Sequence, residues 1–277
     1  MHGYNDYSNS FKIPAEYLSK SNIFTFSFDL DGFGRNDNSS FWFPLSVHKQ
    51  VIKEELLKLK KQYPKKKIFL LGESMGGAII TSLMTNDREL PIDGAVLVAP
   101  AMWNFSESNF FKSLFMSLVS KLFPNLKVSS KGWVEVQASD NQEVLKELSK
   151  DKYFIHDPNL KSLNGIIELM DESYKDAKKF FSQPSYNTLV VIPIKDEIVP
   201  RKPLIELLEA TKIKSYDFSS NFLIFESNYH MILRDIKGDN VTEEIKKWIL
   251  EEKTKKPKNF DEVIKKLKNA NYYHILD

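Results

Sequence analysis

Ile68-Phe69-Leu70-Leu71-Gly72-Glu73-Ser74-Met75-Gly76-Gly77-Ala78-Ile79-Ile80 is the stretch from which the rest of the chain can be read. The apolar run from Ile68 to Leu71 is too short for a helix and suits a strand buried on both faces. Gly72-x-Ser74-x-Gly76 then fits a nucleophile elbow, a sharp strand-to-helix turn that lifts a serine hydroxyl clear of the backbone. A serine strained in this way needs small residues two positions to either side. Gly72 and Gly76 supply them, and Gly77 lets the following helix approach the strand. The same five-residue pattern also arises by chance in Gly/Ser loops, but the flanking strand and helix patterns argue for the elbow. Ser74 is the candidate nucleophile.

Working outward, residues 94–100 and 189–194 are further apolar runs of strand length, and 222–225 is a fourth. Upstream, Ile23-Phe24-Thr25-Phe26-Ser27-Phe28 alternates aromatic and polar residues before the turn Asp29-Leu30-Asp31-Gly32-Phe33-Gly34, and reads as a strand. Helical spacing marks 45–63, with shorter helices at 13–18, 241–252 and 260–269. The lysines from Lys58 to Lys67 fit the C-terminal end of the 45–63 helix and a solvated loop better than a site for acidic partners. Strands alternating with helices predict an α/β fold, a mostly parallel sheet with helices on both faces. Residues 101–186 carry helical patterns and no convincing strand. The chain therefore divides into a first part of the core (1–100), an inserted helical cap (101–186) and a second part of the core (187–277).

Composition narrows the function. Across 277 residues, Lys+Arg 39 against Asp+Glu 37 gives no electrostatic case for nucleic acid. The absence of cysteine excludes disulfides and thiolate metal sites and suits a reducing cytoplasm. No apolar run reaches the eighteen or so residues of a membrane span, and no apolar stretch follows Met1 as in a secretory signal. The expectation is a cytoplasmic protein, peripheral at the membrane at most.

A serine hydroxyl needs a base to take its proton, and that base needs an acid to fix its tautomer. On this architecture the chain order is Ser, then Asp or Glu, then His. Of five histidines, only His230 follows a late strand; His2, His48, His156 and His274 lie before the sheet, in a helix, in the cap and in the tail. Asp196 stands directly after a strand, with Glu197 its nearest rival as the acid.

His2-Gly3, Gly72-Glu73-Ser74-Met75-Gly76-Gly77, Asp196-Glu197-Ile198-Val199-Pro200 and Tyr229-His230 together resemble the alpha/beta-hydrolase superfamily. Within it they look like the monoacylglycerol lipase and bacterial lysophospholipase branch, which is serine aminopeptidase-like. Phe33 in its Gly-Phe-Gly turn, Ser139-Asp140-Asn141 and the segment from Gly165 to Asp171 extend the similarity over nearly the whole chain. The resemblance implies Ser74 as nucleophile, Asp196 as acid and His230 as base. It also implies an oxyanion hole from the backbone N–H groups of Tyr4 and Met75, and no metal or organic cofactor. The implied substrate is an ester of a single-chain lipid, a monoacylglycerol or lysophospholipid. A serine aminopeptidase and a non-catalytic binding protein of the same fold are the alternatives. The peptidase would need acidic residues in the cap to hold a substrate amine, a role open to Glu168, Asp171 and Glu172.

Two departures accompany the resemblance. Asp31 stands where an Arg is usual in the Asp-x-Arg-Gly-x-Gly turn, so an ion pair is expected to be lost there. The His-Gly pair normally follows a buried strand between the 23–28 strand and the elbow strand; here it follows only Met1, so the N-terminal strands are missing. Either the true start lies further upstream, which is the favoured expectation, or 23–28 pairs directly with the elbow strand. In the cap, Phe110, Phe111, Leu114, Phe115 and Leu118 lead a wide apolar stripe on one helix. It is expected either to pack on the cap's own core or to serve as an acyl-chain wall or a lid making transient contact with a lipid surface. Trp103 and Trp133 are open in the same way.

Overall fold

The computed structural model describes residues 1–129, 136–212, 220–251 and 260–270. Among these, strands β1 (Phe69–Glu73), β2 (Gly94–Val98), β3 (Thr188–Pro193) and β4 (Ser220–Phe225) form one parallel sheet in the order β1-β2-β3-β4. All four runs are short; β2 and β3 are apolar and wholly buried, as strands covered on both faces require, while β1 and β4 at the two edges are part-buried. Alternate residues face opposite ways. Ala95, Leu97, Val190 and Ile192 enter one core, and Val96, Val98, Leu189 and Val191 enter the other.

The strand order sets what covers each face. A sheet that advances one strand at a time by right-handed crossovers puts every connecting helix on the same side. Accordingly α3 (Met75–Asn86), α7 (Leu160–Ser182) and α8 (Arg201–Lys212) share the first core with α2 (Leu45–Gln62) and α10 (Phe260–Lys268). The second face is closed from the chain's two ends. There α9 (Gly238–Ile249) contributes Val241 and Ile245, and it packs against α1 (Lys12–Ser19).

The strand expected at 23–28 does not form. Phe24 is 75% and Phe26 44% exposed, and the segment has no ladder partner among the described residues. Nor does it pair with β1. Among the described residues, β1 is a sheet edge, and the place beside it is taken by Met1. Its amino nitrogen donates to Leu71 O (2.6 Å), and its carbonyl accepts from Glu73 N–H (3.0 Å). Between β1 and the 23–28 segment lies an apolar groove of about 640 Å³, lined by residues including Leu18, Phe24, Phe28, Leu56 and Phe69. A lone segment gains too few contacts to become a strand.

Among the described residues, four helices lie between β2 and β3: α4 (Phe105–Ser108), α5 (Phe110–Leu122), α6 (Gln142–Leu148) and α7. The last of them also belongs to the core. Asp176 Oδ2 accepts from Ser82 Oγ (2.6 Å) and Asn86 Nδ2 (3.0 Å) of α3, while Ala177, Phe180 and Phe181 are buried behind it. Among the described residues no helix is long and apolar enough to cross a membrane.

Candidate active site

Ser74 joins β1 to α3 with φ 54° and ψ −117°, a conformation that a non-glycine residue adopts only under constraint. The constraint is visible. Its N–H donates to Val98 O (2.9 Å), and its carbonyl accepts from Ala101 N–H (3.0 Å). The turn also explains its glycines: a Cβ on Gly72 would sit 2.5 Å from the Gly76 carbonyl, and one on Gly76 would sit 2.3 Å from Met1 O.

Asp196 and His230 arrive from the loops after β3 and β4. His230 Nδ1 lies 2.7 Å from Asp196 Oδ2, and both side chains are buried. The other carboxylate oxygen accepts from Ile198 N–H and Val199 N–H, each at 2.9 Å, so the backbone sets the orientation of the acid. Burial by itself pulls the His230 pKa down. The charge and hydrogen bond of Asp196, with Glu73 behind them, outweigh burial and hold it above the usual imidazole value. The Ser74 hydroxyl makes no hydrogen bond among the described residues, so the serine–histidine link is not closed; such links tighten when substrate binds. Glu197, the rival acid, is turned to the cap, where its Oε2 accepts from Gln137 N–H (2.6 Å).

The N-terminal segment lies against Ser74: a Cβ on Gly3 would be 3.3 Å from Ser74 Cβ. His2 anchors it. Leu30 N–H can only donate, so His2 Nε2 accepts from it (3.0 Å), leaving Nδ1–H to donate to Gly3 O (2.9 Å). Burial keeps this imidazole neutral, with its pKa lowered to about 4. The Tyr4 hydroxyl meets Ser162 Oγ at 2.8 Å, and burial pushes the phenol up to about 12. Met75 opens α3, so its N–H belongs to the first turn and has no acceptor within the helix. In the turn before α2, Asp31 takes the Asn38 amide (3.4 Å).

The residues of the α5 stripe are placed differently from Ser74, Asp196 and His230. Phe110 (62%), Phe111 (83%), Leu114 (48%), Phe115 (68%) and Leu118 (54%) are exposed, so the α5 stripe faces outward and does not pack on a core of its own. Trp103 stacks edge-on against Phe105 (5.0 Å between rings), and Trp133 lies outside the described residues. Glu168 and Glu172 point to solvent, and Asp171 Oδ1 is occupied by Ser106 N–H (3.0 Å), which matches a solvated helix face.

Sequence reasoning missed the groups behind the site. Asp235 binds Ser139 Oγ (2.7 Å), Tyr229 N–H (2.8 Å) and Asn228 Nδ2 (3.1 Å), fastening the histidine loop to the cap. Arg234 meets Asp6 and Glu73 in the interior. One signal was available: Glu73 is a charge inside a buried strand, and a buried charge requires a partner.

The chain is similar to known proteins in sequence and in fold. Human monoglyceride lipase is 23% identical over 252 residues, covering 90% of this chain and 80% of the human protein. The Bacillus subtilis phospholipase YtpA is 21% identical over 174 residues, covering 63% and 64% of the two chains. In three dimensions the chain resembles the crystal structure of Paleococcus ferrophilus monoacylglycerol lipase, with a TM-score of 0.73, 21% identity and coverage of 91% and 92%. A soluble variant of the Saccharomyces cerevisiae monoglyceride lipase gives a TM-score of 0.72 at 14% identity, covering 90% and 84%. These likenesses show the alpha/beta-hydrolase fold. The model of the family described as serine aminopeptidase, S33 (Hydrolase_4) matches residues 1–237, and the chain belongs to that family.

Proposed function

We propose that the protein is a serine hydrolase that cleaves carboxylic esters of single-chain lipids, a monoacylglycerol or lysophospholipid, through an acyl-enzyme on Ser74. The buried Asp196–His230 pair, delivered by successive strands to the side of the elbow, carries this reading. Ser74 Oγ attacks the ester carbonyl as His230 Nε2 takes its proton, while Asp196 holds Nδ1–H and stabilises the imidazolium. The N–H groups of Tyr4 and Met75 face the developing oxyanion, contributing roughly 3 kcal/mol each. Collapse of the tetrahedral intermediate expels the alcohol, protonated by His230, and water activated by the same imidazole then clears the acyl group. The names of the relatives support the lipid substrate.

The 101–186 block is the cap over this site, with α7 shared with the core, and the outward apolar face of α5 is its contact with a lipid surface. The lack of cysteine fits a cytoplasmic setting.

Labelling with a fluorophosphonate, with Ser74→Ala as control, followed by esters and aminoacyl anilides of graded length, tests the reading. Labelling lost in Ser74→Ala, with turnover of long monoacyl esters, is expected. Preferential cleavage of the anilides would make it a peptidase; no labelling at all would make it a binding protein. Phe111→Glu with Phe115→Glu should lower turnover of vesicle-borne substrate about tenfold relative to a soluble short ester. Equal loss on both would mean that the cap no longer folds.

A further inference from the structure

Three charged side chains from distant parts of the chain meet behind the catalytic groups. Arg234 Nη2 lies 2.7 Å from Asp6 Oδ2 and 3.1 Å from Glu73 Oε2, and none of the three side chains is more than 6% exposed. Each sits close in sequence to a group the reaction would use. Asp6 follows Tyr4 by two residues, Glu73 immediately precedes Ser74, and Arg234 follows His230 by four. Asp6 also braces its own segment, its N–H donating to Gly3 O (3.3 Å) and its Oδ1 accepting from Tyr7 N–H (2.9 Å).

Stability alone explains such a cluster poorly. Burying three ions costs several kcal/mol each before their attraction is counted, and apolar residues of similar volume often do as well or better. This network is also incompletely bonded, since Glu73 Oε1 and Arg234 Nε have no hydrogen-bond partner. What apolar residues would not supply is fixed relative position for three segments and net charge beside the imidazole. We propose that Arg234, Glu73 and Asp6 are positioning residues, locking the oxyanion segment, the elbow strand and the histidine loop in one geometry, with Glu73 a second anion behind His230. The proposal rests on the reading of His230 as general base.

The charges facing His230 are Asp196 at Nδ1, then Glu73 and Arg234. Glu73, whose pKa burial raises and the Arg234 charge pulls back down, is itself faced by Arg234, Asp6, His230 and the Met1 amino group. Glu73 favours the imidazolium and Arg234 opposes it, so their removal acts in opposite directions.

The experiment is the pH profile of kcat/KM on a soluble ester for Glu73→Gln, Arg234→Met and Arg234→Lys. Activity requires neutral His230, so Glu73→Gln should move the acid limb to lower pH and Arg234→Met to higher pH, each by roughly half a unit. Arg234→Met should also lower kcat about tenfold with KM within about twofold, and Arg234→Lys should recover part of the loss. Acid limbs that stay in place or move together, or a loss confined to KM, would overturn the proposal. Should Arg234→Met fail to fold, the limb of the near-isosteric Glu73→Gln decides alone. His230→Ala run in parallel keeps the two questions apart. If that variant turns over normally, the base assignment has failed, whatever the cluster does.

Discussion

At the scale of single residues, Asp196 is the member of the proposed triad most completely defined by its bonds. Two backbone N–H groups hold Asp196 Oδ1, and only Oδ2 is left for His230. In Asp196→Asn the carbonyl oxygen would keep the backbone bonds and turn the amide NH₂ towards His230 Nδ1. That nitrogen would become the acceptor, and the proton on Nε2 would face Ser74, where an acceptor is needed. The expected result is a fall in kcat of about 10⁴-fold with little change in KM, read by steady-state kinetics on a soluble ester. A loss under tenfold would show that another group fixes the tautomer. Glu197 was the rival in the sequence, and its bond to Gln137 N–H is what removes it from the contest.

At the scale of elements, β1 has an open edge. Its N–H and C=O groups alternate between β2 and the groove. Met1 bonds Leu71 O and Glu73 N–H, while the Phe69 N–H, Phe69 C=O and Leu71 N–H face the groove without a partner among the described residues. A chain engineered with Val-Thr-Val-Ile-Val ahead of Met1 would lay a parallel strand there and complete those bonds, at about 1 kcal/mol each, with apolar burial added. Thermal unfolding should rise by roughly 5 °C or more. An extension of the same length with proline at alternate positions should give nothing, and an equal Tm for both extensions would refute the idea. The same edge shows what the sequence conveyed about elements. The runs forming β1, β2 and β3 were legible because burial on both faces demands continuous apolar residues. The aromatic alternation at 23–28 was equally legible, but it records only which side chains share a face, not whether a neighbouring strand exists to complete a ladder. The α5 stripe is ambiguous for a related reason: one apolar face looks the same whether it meets a core, a lipid or water.

At the scale of the whole molecule, the meeting of Asp196 with His230 could be read because parallel strands advancing in sequence deliver successive loops to one edge of the sheet. The cluster of Arg234 with Glu73 could not, since it joins residues 161 positions apart with no local pattern. Burial of neutral histidines is a property of the whole fold in the same sense, and it makes stability depend on pH. His2 and His48 are fully buried, with pKa values lowered by desolvation to about 4. Unfolded, each takes a proton near the ordinary 6.5. Between those values the unfolded chain binds more protons than the native one, so the contribution is complete above pH 6.5 and is lost as pH falls to 4. For each histidine this amounts to roughly 3 kcal/mol over the whole window. His230 acts with the opposite sign, and the Met1 amine, lowered to about 5, acts with the same sign in a higher window. A variant isolates one term from the rest. His48 packs between Phe33 and Trp42, with ring centroids 6.2 and 6.0 Å away, so His48→Phe places a third aromatic ring in an aromatic setting. Urea unfolding of both proteins at pH 7 and pH 4.5 should show the variant losing about 2–3 kcal/mol less than the parent on acidification. Parallel losses would mean that His48 is already charged in the native protein or stays neutral in the unfolded one.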